Sequence, residues 1–181
     1  MKLTILGNNG PFPGAGGACS GYLLNEGNVN ILIDCGNGVL SNLQKIIHYE
    51  DLDAIILTHL HSDHVSDMMV LRYAMQIKMK RGQINKPITV YAPAEPTVEY
   101  NRLDEVKGVF DLRPITSELV LSIRNSKISF CEMTHPVKCY AISFDNGNKR
   151  FVFSGDTSWN EKIVDFSKKV DLLMLDAGLL A

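Results

Sequence analysis

The chain has 181 residues, of which 45% are hydrophobic and 21% charged, a composition that excludes a disordered protein. At about 150 residues per domain, this length predicts one domain covering residues 1–181. The net charge of −2 excludes a generally basic nucleic-acid-binding protein, and no apolar run approaches the roughly 20 residues that span a bilayer.

Neither export nor disulfide formation is indicated. The N-terminal apolar run breaks at Gly7 and is too short for a signal peptide. The four cysteines form no CxxC pair, and a chain without an export signal keeps its thiols reduced. The sequence therefore predicts a cytoplasmic protein with free cysteines.

The predicted elements are strands interrupted by a few helices. Strands are predicted at 2–6, 21–25, 29–34, 53–58, 88–92, 119–124, 127–134, 138–144, 150–153 and 171–176. Helices are predicted at 38–49, 65–81, 97–107 and 160–168, with a glycine-rich loop at 7–21 and another loop around Pro114. Many strands with few helices predict sheets packed face to face with helices outside.

Three of the five histidines lie within six residues, in the segment His-Leu-His-Ser-Asp-His that follows an apolar strand. His59 and His61 are two positions apart in an extended segment and can therefore face one cation. As the chain bends into a helix, Asp63 and His64 are turned towards a second cation. Imidazole and carboxylate groups bind zinc and similar divalent metals, so this segment is interpreted as part of a metal centre.

One loop cannot complete a metal site, and further ligands are expected at other strand ends. His135 follows a predicted strand, and Asp156 follows another through Ser154-Gly155. Alone, such a histidine is more often structural and such an aspartate often forms a turn. Beside the histidine cluster both are interpreted as metal ligands, with Asp156 as a bridging ligand. His48 has no such neighbours and is interpreted as an ordinary surface or capping histidine.

The segments His59–His64, Thr134-His135-Pro136 and Ser154-Gly155-Asp156-Thr157 resemble the metallo-β-lactamase superfamily. The glycine-rich opening segment and Asp34-Cys35-Gly36 are similar to the same family, so the resemblance covers the whole chain. It implies an α+β fold, a four-layer αββα sandwich with a dinuclear metal site at the edge of the sheets.

The same resemblance implies a role for each candidate residue. His59, His61 and His135 would bind one metal ion, Asp63 and His64 would belong to the second, and Asp156 would bridge both. Asp34 would not bind a metal ion itself but would stabilise the loop that carries the ligands His59–His64. Zinc is expected on ligand type, with manganese or iron as alternatives.

The chemistry that the resemblance implies is hydrolysis by a metal-activated water, with Asp63 also accepting or relaying a proton. The chain is most similar to the branch of transfer-RNA 3′-processing ribonuclease and related phosphodiesterases. That ribonuclease grips RNA with a long arm between its third and fourth metal motifs. Here His135 and Asp156 are only 21 positions apart, and an Asn-Gly hairpin fills the interval.

We therefore expect a small-molecule substrate, a phosphodiester or cyclic nucleotide, and neither a large nucleic-acid partner nor a membrane. The alternatives are hydrolysis of a carboxylic ester, thioester or lactone, or a metal-binding module without turnover. An acid-free segment at 68–94 contains the basic residues Arg72, Lys78, Lys80, Arg81 and Lys86. It favours an anionic substrate, unless it is only a solvated helix end.

The end of the chain predicts an incomplete domain. The resemblance implies a final histidine that helps to hold the second ion, and no histidine follows His135. The last residues, 178–181, are apolar and follow a predicted strand. We expect about 60 further residues in the full gene product. In this chain we expect a second site without its last ligand and an exposed sheet that a homodimer would cover. The alternative is a naturally short protein.

Overall fold

The computed structural model describes residues 1–177. Within them, one sheet contains the strands β1 (Lys2–Gly7), β2 (Gly21–Glu26), β3 (Val29–Ile33), β4 (Ala54–Ile56), β5 (Ile88–Pro93) and β6 (Phe110–Ile115), neighbouring in that order. The other contains β7 (Val120–Ile123), β8 (Ser126–Glu132), β9 (Tyr140–Asp145), β10 (Arg150–Phe153) and β11 (Leu172–Met174), also in chain order. The strands from β3 to β6 are parallel, as are β10 and β11, and the other neighbours are antiparallel.

The helices are α1 (Val39–Leu43), α2 (Ser62–Lys80), α3 (Thr97–Leu103) and α4 (Lys162–Phe166), and a 3-10 turn covers Tyr49–Asp51. None of these helices within residues 1–177 is long and apolar enough to cross a membrane.

Side-chain alternation along the strands builds the layers. In β3, Ile31 and Ile33 point into the core between the two sheets, whereas Leu32 points to the opposite face and packs with the helical layer. That helical layer includes Met68 and Met75 of α2, which are buried in the core. On the far side, Ile163 of α4 packs against the second sheet. The predicted αββα sandwich is confirmed.

One edge of the sandwich brings several strand ends together. Parallel pairing of β3 and β4 sets Ile33 beside Ile56, so Asp34 and Thr58 follow at adjacent strand ends. The backbone of Tyr140, at the start of β9, donates to the carbonyl of Thr58 over 3.0 Å and ties the second sheet to this edge. The carboxyl ends of β4 and of strands from the second sheet therefore meet at one place.

The helices are shorter or begin elsewhere than the sequence predicts. Helix α1 ends at Leu43 because its buried face stops there, and Ile46 is exposed to solvent. Helix α2 begins at Ser62 and not at residue 65, so Asp63 lies in its first turn, where a carboxylate suits the helix dipole. Helices α3 and α4 each end before the predicted position.

The predicted loop around Pro114 is wrong. Pro114 lies within β6, the last strand of its sheet, where a residue without a backbone N–H is tolerated on the open edge. The predicted free cysteines are confirmed, since all four are unpaired. The apolar segment 178–181, which carried the expectation of an incomplete domain, lies outside the described residues.

Candidate metal centre

The candidate ligands come from four places in the chain and meet at the edge described above. His59 and His61 follow β4, and Asp63 and His64 lie in the first turn of α2. The remaining two, His135 and Asp156, follow β8 and β10. Two groups of these residues, each with ligand atoms within 4.8 Å of one another, have the composition and spacing to hold a metal ion.

The first group, which we call the three-histidine group, consists of His59, His61 and His135. Nδ1 of His61 and Nε2 of His135 are 3.0 Å apart. The His59 ring lies 4.9 Å from that of His61 and 4.7 Å from that of His135, centroid to centroid. Three imidazole nitrogens directed at a common space are a typical donor set for zinc.

The second group contains His59, His64 and Asp156. One carboxylate oxygen of Asp156 lies 3.3 Å from Nε2 of His64, and the other lies 3.8 Å from Nε2 of His59. The two oxygens therefore face different histidines, and Asp156 can bridge two ions if His59 binds one of them and His64 the other.

The surroundings of His59 show whether a cation fits between these ligand groups. Its side chain is fully buried, and Nδ1 lies 3.1 Å from Oγ1 of Thr58. Nε2 is buried and has no hydrogen-bond partner among the described residues. Burial, followed by the charge of His64, lowers the pKa of His59 to about 2, so the ring is neutral. A buried, neutral nitrogen without a partner is costly unless it binds something, and a metal ion satisfies it.

His59 cannot serve both groups at once, because its Nε2 carries a single lone pair. If His59 joins His61 and His135, the second ion keeps His64 and Asp156 and needs another donor. The nearby carboxylate is that of Asp63, whose Oδ2 lies 3.7 Å from Nε2 of His64. Neither of the two compact groups within residues 1–177 includes Asp63, so its role as a ligand stays a prediction.

Asp34 lies behind the second group and is completely buried. Its carboxylate accepts hydrogen bonds from the backbone N–H and the hydroxyl of Thr58 and from the hydroxyl of Ser20. Nδ1 of His64 lies 2.7 Å from Oδ2 of Asp34. A carboxylate there holds the proton on Nδ1 and turns Nε2 towards the metal space.

Two carboxylates favour the protonated form of His64 in the metal-free chain. Burial by itself lowers the pKa of His64, but the Asp34 and Asp156 carboxylates outweigh it and raise the pKa to about 10. Burial tends to raise the pKa of Asp156, but the hydrogen bond and charge of His64 lower it. His64 is thus ion-paired with Asp34 and Asp156, and a cation would replace the proton on its Nε2.

Two glycines allow the close packing of this edge. A Cβ on Gly36 would lie 1.8 Å from the carbonyl oxygen of Asp63, so only glycine fits between the Asp34 loop and α2. Gly155 has a φ of 60°, and a Cβ there would lie 2.9 Å from Cβ of Thr58 and 3.0 Å from Sγ of Cys139. The crowding beneath Gly155 fixes the backbone that carries the neighbouring Asp156.

The basic residues at 68–94 do not belong to this centre. Helix α2 begins at the centre with Ser62 and ends at Lys80, about 27 Å away at 1.5 Å per residue. Arg72 is paired with Glu105, and Lys78 with Glu50. A small substrate at the histidines is therefore not expected to contact the end of this helix.

Sequence reasoning missed the residues that hold Asp34. Thr58 immediately precedes His59, and a hydroxyl at the end of a buried strand was the available signal. Ser20 gave no such signal, because its contact with Asp34 spans 14 positions and depends on the pairing of β2 with β3.

The sequence is similar to known proteins over most or all of its length. The sequence profile of the "Beta-lactamase superfamily domain" matches residues 29–181. The chain is similar to the probable metallo-hydrolase YhfI of Bacillus subtilis, with 33% identity over 184 residues that cover all of this chain and 74% of that protein. It is also similar to the mitochondrial ribonuclease Z of Drosophila melanogaster, with 26% identity over 205 residues, 98% of this chain and 26% of that protein.

Solved structures show the same architecture. The crystal structure of YhfI from Bacillus subtilis matches with a TM-score of 0.89 and 33% identity, over 94% of this chain and 69% of that one. The short form of human tRNase Z matches with a TM-score of 0.77 and 20% identity, over 96% of this chain and 76% of that one. At this lower identity the similarity shows the shared fold alone.

Proposed function

The chain belongs to the β-lactamase superfamily as a metal-dependent hydrolase, and from this premise we propose that its substrate is a small phosphodiester, cyclic nucleotides included. The observation that carries the metal chemistry is the buried Nε2 of His59, which has no hydrogen-bond partner within residues 1–177 and belongs to both ligand groups. The substrate class is supported by separate observations, given below.

The residues divide between two divalent ions, for which zinc suits the nitrogen-rich donor set and manganese or iron are alternatives. His59, His61 and His135 would hold the first. His64 and Asp63 would hold the second, and Asp156 would serve both because its two oxygens face His59 and His64. Two neighbouring cations would repel each other, and the carboxylate of Asp156 would offset that repulsion.

Bound divalent ions lower the pKa of a coordinated water and stabilise the negative charge that develops on a phosphoryl oxygen. The chain itself supplies orientation and proton handling. Asp34 fixes the ring of His64 through a 2.7 Å contact. Asp63, at the start of α2, is partly exposed beside the glycine-rich loop, where Gly10 lies next to its Oδ2. A carboxylate in that position can take the proton released when water attacks.

A phosphodiester is favoured by similarity to proteins named ribonuclease Z. A small substrate is favoured by the interval between His135 and Asp156. Strands β9 and β10 and their turn occupy most of it, which leaves no long arm there to hold RNA. The net charge of −2 also argues against a large nucleic acid.

The proposal is tested by assaying bis(p-nitrophenyl) phosphate and p-nitrophenyl acetate with metal-loaded protein, with chelator, and with the His59→Ala variant. We expect hydrolysis of the phosphodiester that chelator abolishes, that added zinc or manganese restores, and that His59→Ala lacks. Hydrolysis of the acetate alone would contradict the substrate class and favour an ester or lactone. Hydrolysis of neither by metal-loaded protein would favour a binding module.

A further inference from the structure

We propose that Trp159 is the specificity-determining residue that stacks on the nucleobase of the substrate. This inference rests on the proposed function and narrows it from small phosphodiesters to nucleotides. Trp159 is the one tryptophan of the chain, and it lies three residues after Asp156 with 74% of its surface exposed. An indole this exposed lacks the burial that usually stabilises a large aromatic side chain.

The backbone that carries Trp159 is held in place by hydrogen bonds on both sides of it. The N–H of Ser158 donates to the carbonyl of Thr134 over 2.8 Å, and Nδ2 of Asn160 donates to the hydroxyl of Thr134 over 3.0 Å. The N–H of Thr134 donates to the hydroxyl of Thr157 over 3.3 Å.

Thr134 is the residue directly before His135, so the Trp159 segment is tied to both second-sheet ligands, Asp156 along the chain and His135 across it. An ordered backbone thus carries Trp159 beside the metal centre. When a planar base binds there, only the two side-chain torsions of Trp159 have to be ordered, so the loss of conformational entropy is small.

The chemistry of the ligand follows from this placement. A metal centre attracts the phosphodiester, and the Cα atoms of Asp156 and Trp159 are at most about 11 Å apart, the reach of three residues. Within that limit a nucleotide can extend from the metal centre to Trp159, with the sugar between phosphate and base. Every nucleobase has a π-face that an indole can stack on, so this contact recognises the base without selecting one.

Tyr73 provides a matched control, because it is also an exposed aromatic residue, with 64% of its surface accessible. It lies eleven residues after Ser62 on α2, about 16 Å along the helix from the metal centre. A nucleotide bound at the centre is not expected to contact it.

Because Trp159 is the one tryptophan of the chain, its fluorescence reports on this residue alone. The zinc-loaded chain is titrated with adenosine 5′-monophosphate and, separately, with ribose 5-phosphate, which has the phosphate and no base. We expect emission typical of exposed indole and saturable quenching by the nucleotide only. Equal quenching by both, quenching by neither, or a blue-shifted resting emission that shows Trp159 to be covered would overturn the proposal.

Kinetics with 3′,5′-cyclic adenosine monophosphate give the second readout. Trp159→Ala should raise KM about tenfold with kcat nearly unchanged, Trp159→Phe should restore most of the loss, and Tyr73→Ala should match the wild type. An effect on kcat with unchanged KM would contradict base stacking. If the nucleotide quenches fluorescence but no phosphodiester is hydrolysed, the proposed function is wrong and the stacking site stands.

Discussion

The two halves of the metal centre are built differently. The three-histidine group consists of imidazoles placed by the chain segments that follow β4 and β8, and His61 and His135 contact each other directly. The other half, His64 with Asp156, combines an imidazole with a carboxylate. It is backed by the buried Asp34, whose own carboxylate is fixed by Thr58 and Ser20.

This difference predicts which substitutions weaken each half of the metal centre. The three-histidine group depends on the ligands, on the backbone that presents them and, at His59 alone, on the hydroxyl of Thr58. The His64–Asp156 half also depends on residues that never contact a metal, because the orientation and proton position of His64 are set by Asp34. Substitutions behind the ligands should therefore weaken the His64–Asp156 half more than the three-histidine group, whereas substitutions at shared residues should affect both equally.

The largest effect is expected for Asp156→Ala, since Asp156 faces both halves. Turnover of bis(p-nitrophenyl) phosphate should fall at least about 100-fold, and Asp156→Asn should also fail because a neutral amide cannot offset two cations. Circular dichroism and denaturant unfolding establish that the variants fold. Near-normal turnover in a variant of unchanged stability would exclude the bridging role.

The next effect is expected for His59→Ala, which should lose the ion of the three-histidine group. The measurement is metal content per chain by elemental analysis after dialysis. His48→Ala is the matched control, because His48 is an exposed histidine outside both ligand groups. If His59→Ala keeps the wild-type metal content, the assignment of His59 is wrong.

Asp34→Asn separates the two halves most sharply. An amide N–H₂ in place of Oδ2 would face the N–H of His64, and the ring would have to move its proton to Nε2 and lose its lone pair there. Affinity for the second ion should fall about 10-fold to 100-fold, with a smaller loss for the first ion, which Asp34 reaches only through Thr58 and His59. Stepwise zinc titration by calorimetry tests this. Equal weakening of both steps would mean that the halves are not independently supported.

A smaller effect is expected from the backbone beneath Asp156. Gly155 and Gly147 both have a positive φ, 60° and 82°. Because alanine is strained in that conformation, Gly155→Ala and Gly147→Ala should each lower the free energy of unfolding by about 1–2 kcal/mol. Only Gly155 is crowded, by Thr58 and Cys139, whereas the Gly147 position is open. Gly155→Ala should therefore lose a further 1–3 kcal/mol or so in urea unfolding. Equal losses would show that the crowding is relieved elsewhere.

The sequence predicted the parts of this centre that are local in the chain. The spacing of His59, His61 and His64 after an apolar strand indicated the ligand cluster, and strand ends before His135 and Asp156 indicated the rest. The layers were also predictable, because alternation along β3 specifies two buried faces. Within the segment that carries the ligand cluster, the start of α2 was misplaced by three residues.

The parts that depend on pairing between distant segments were not predictable in detail. Asp34 and Thr58 meet because β3 and β4 are parallel in a particular register, and a single sequence does not reveal register. The ion pairs of Arg72 and Lys78 with Glu105 and Glu50 join residues at least 28 positions apart. Without those pairings, the sequence left open whether the basic end of α2 favours an anionic substrate or is only a solvated helix end.

The most direct test of the metal centre is anomalous diffraction from crystals of this chain grown with zinc. We predict one zinc ion bound by Nε2 of His59 together with His61 and His135, and a second beside His64 and Asp156 with Asp63 as a further ligand. A zinc ion on Nε2 of His59 with His64 and Asp156, and none between His61 and His135, would contradict the division of ligands on which this account depends.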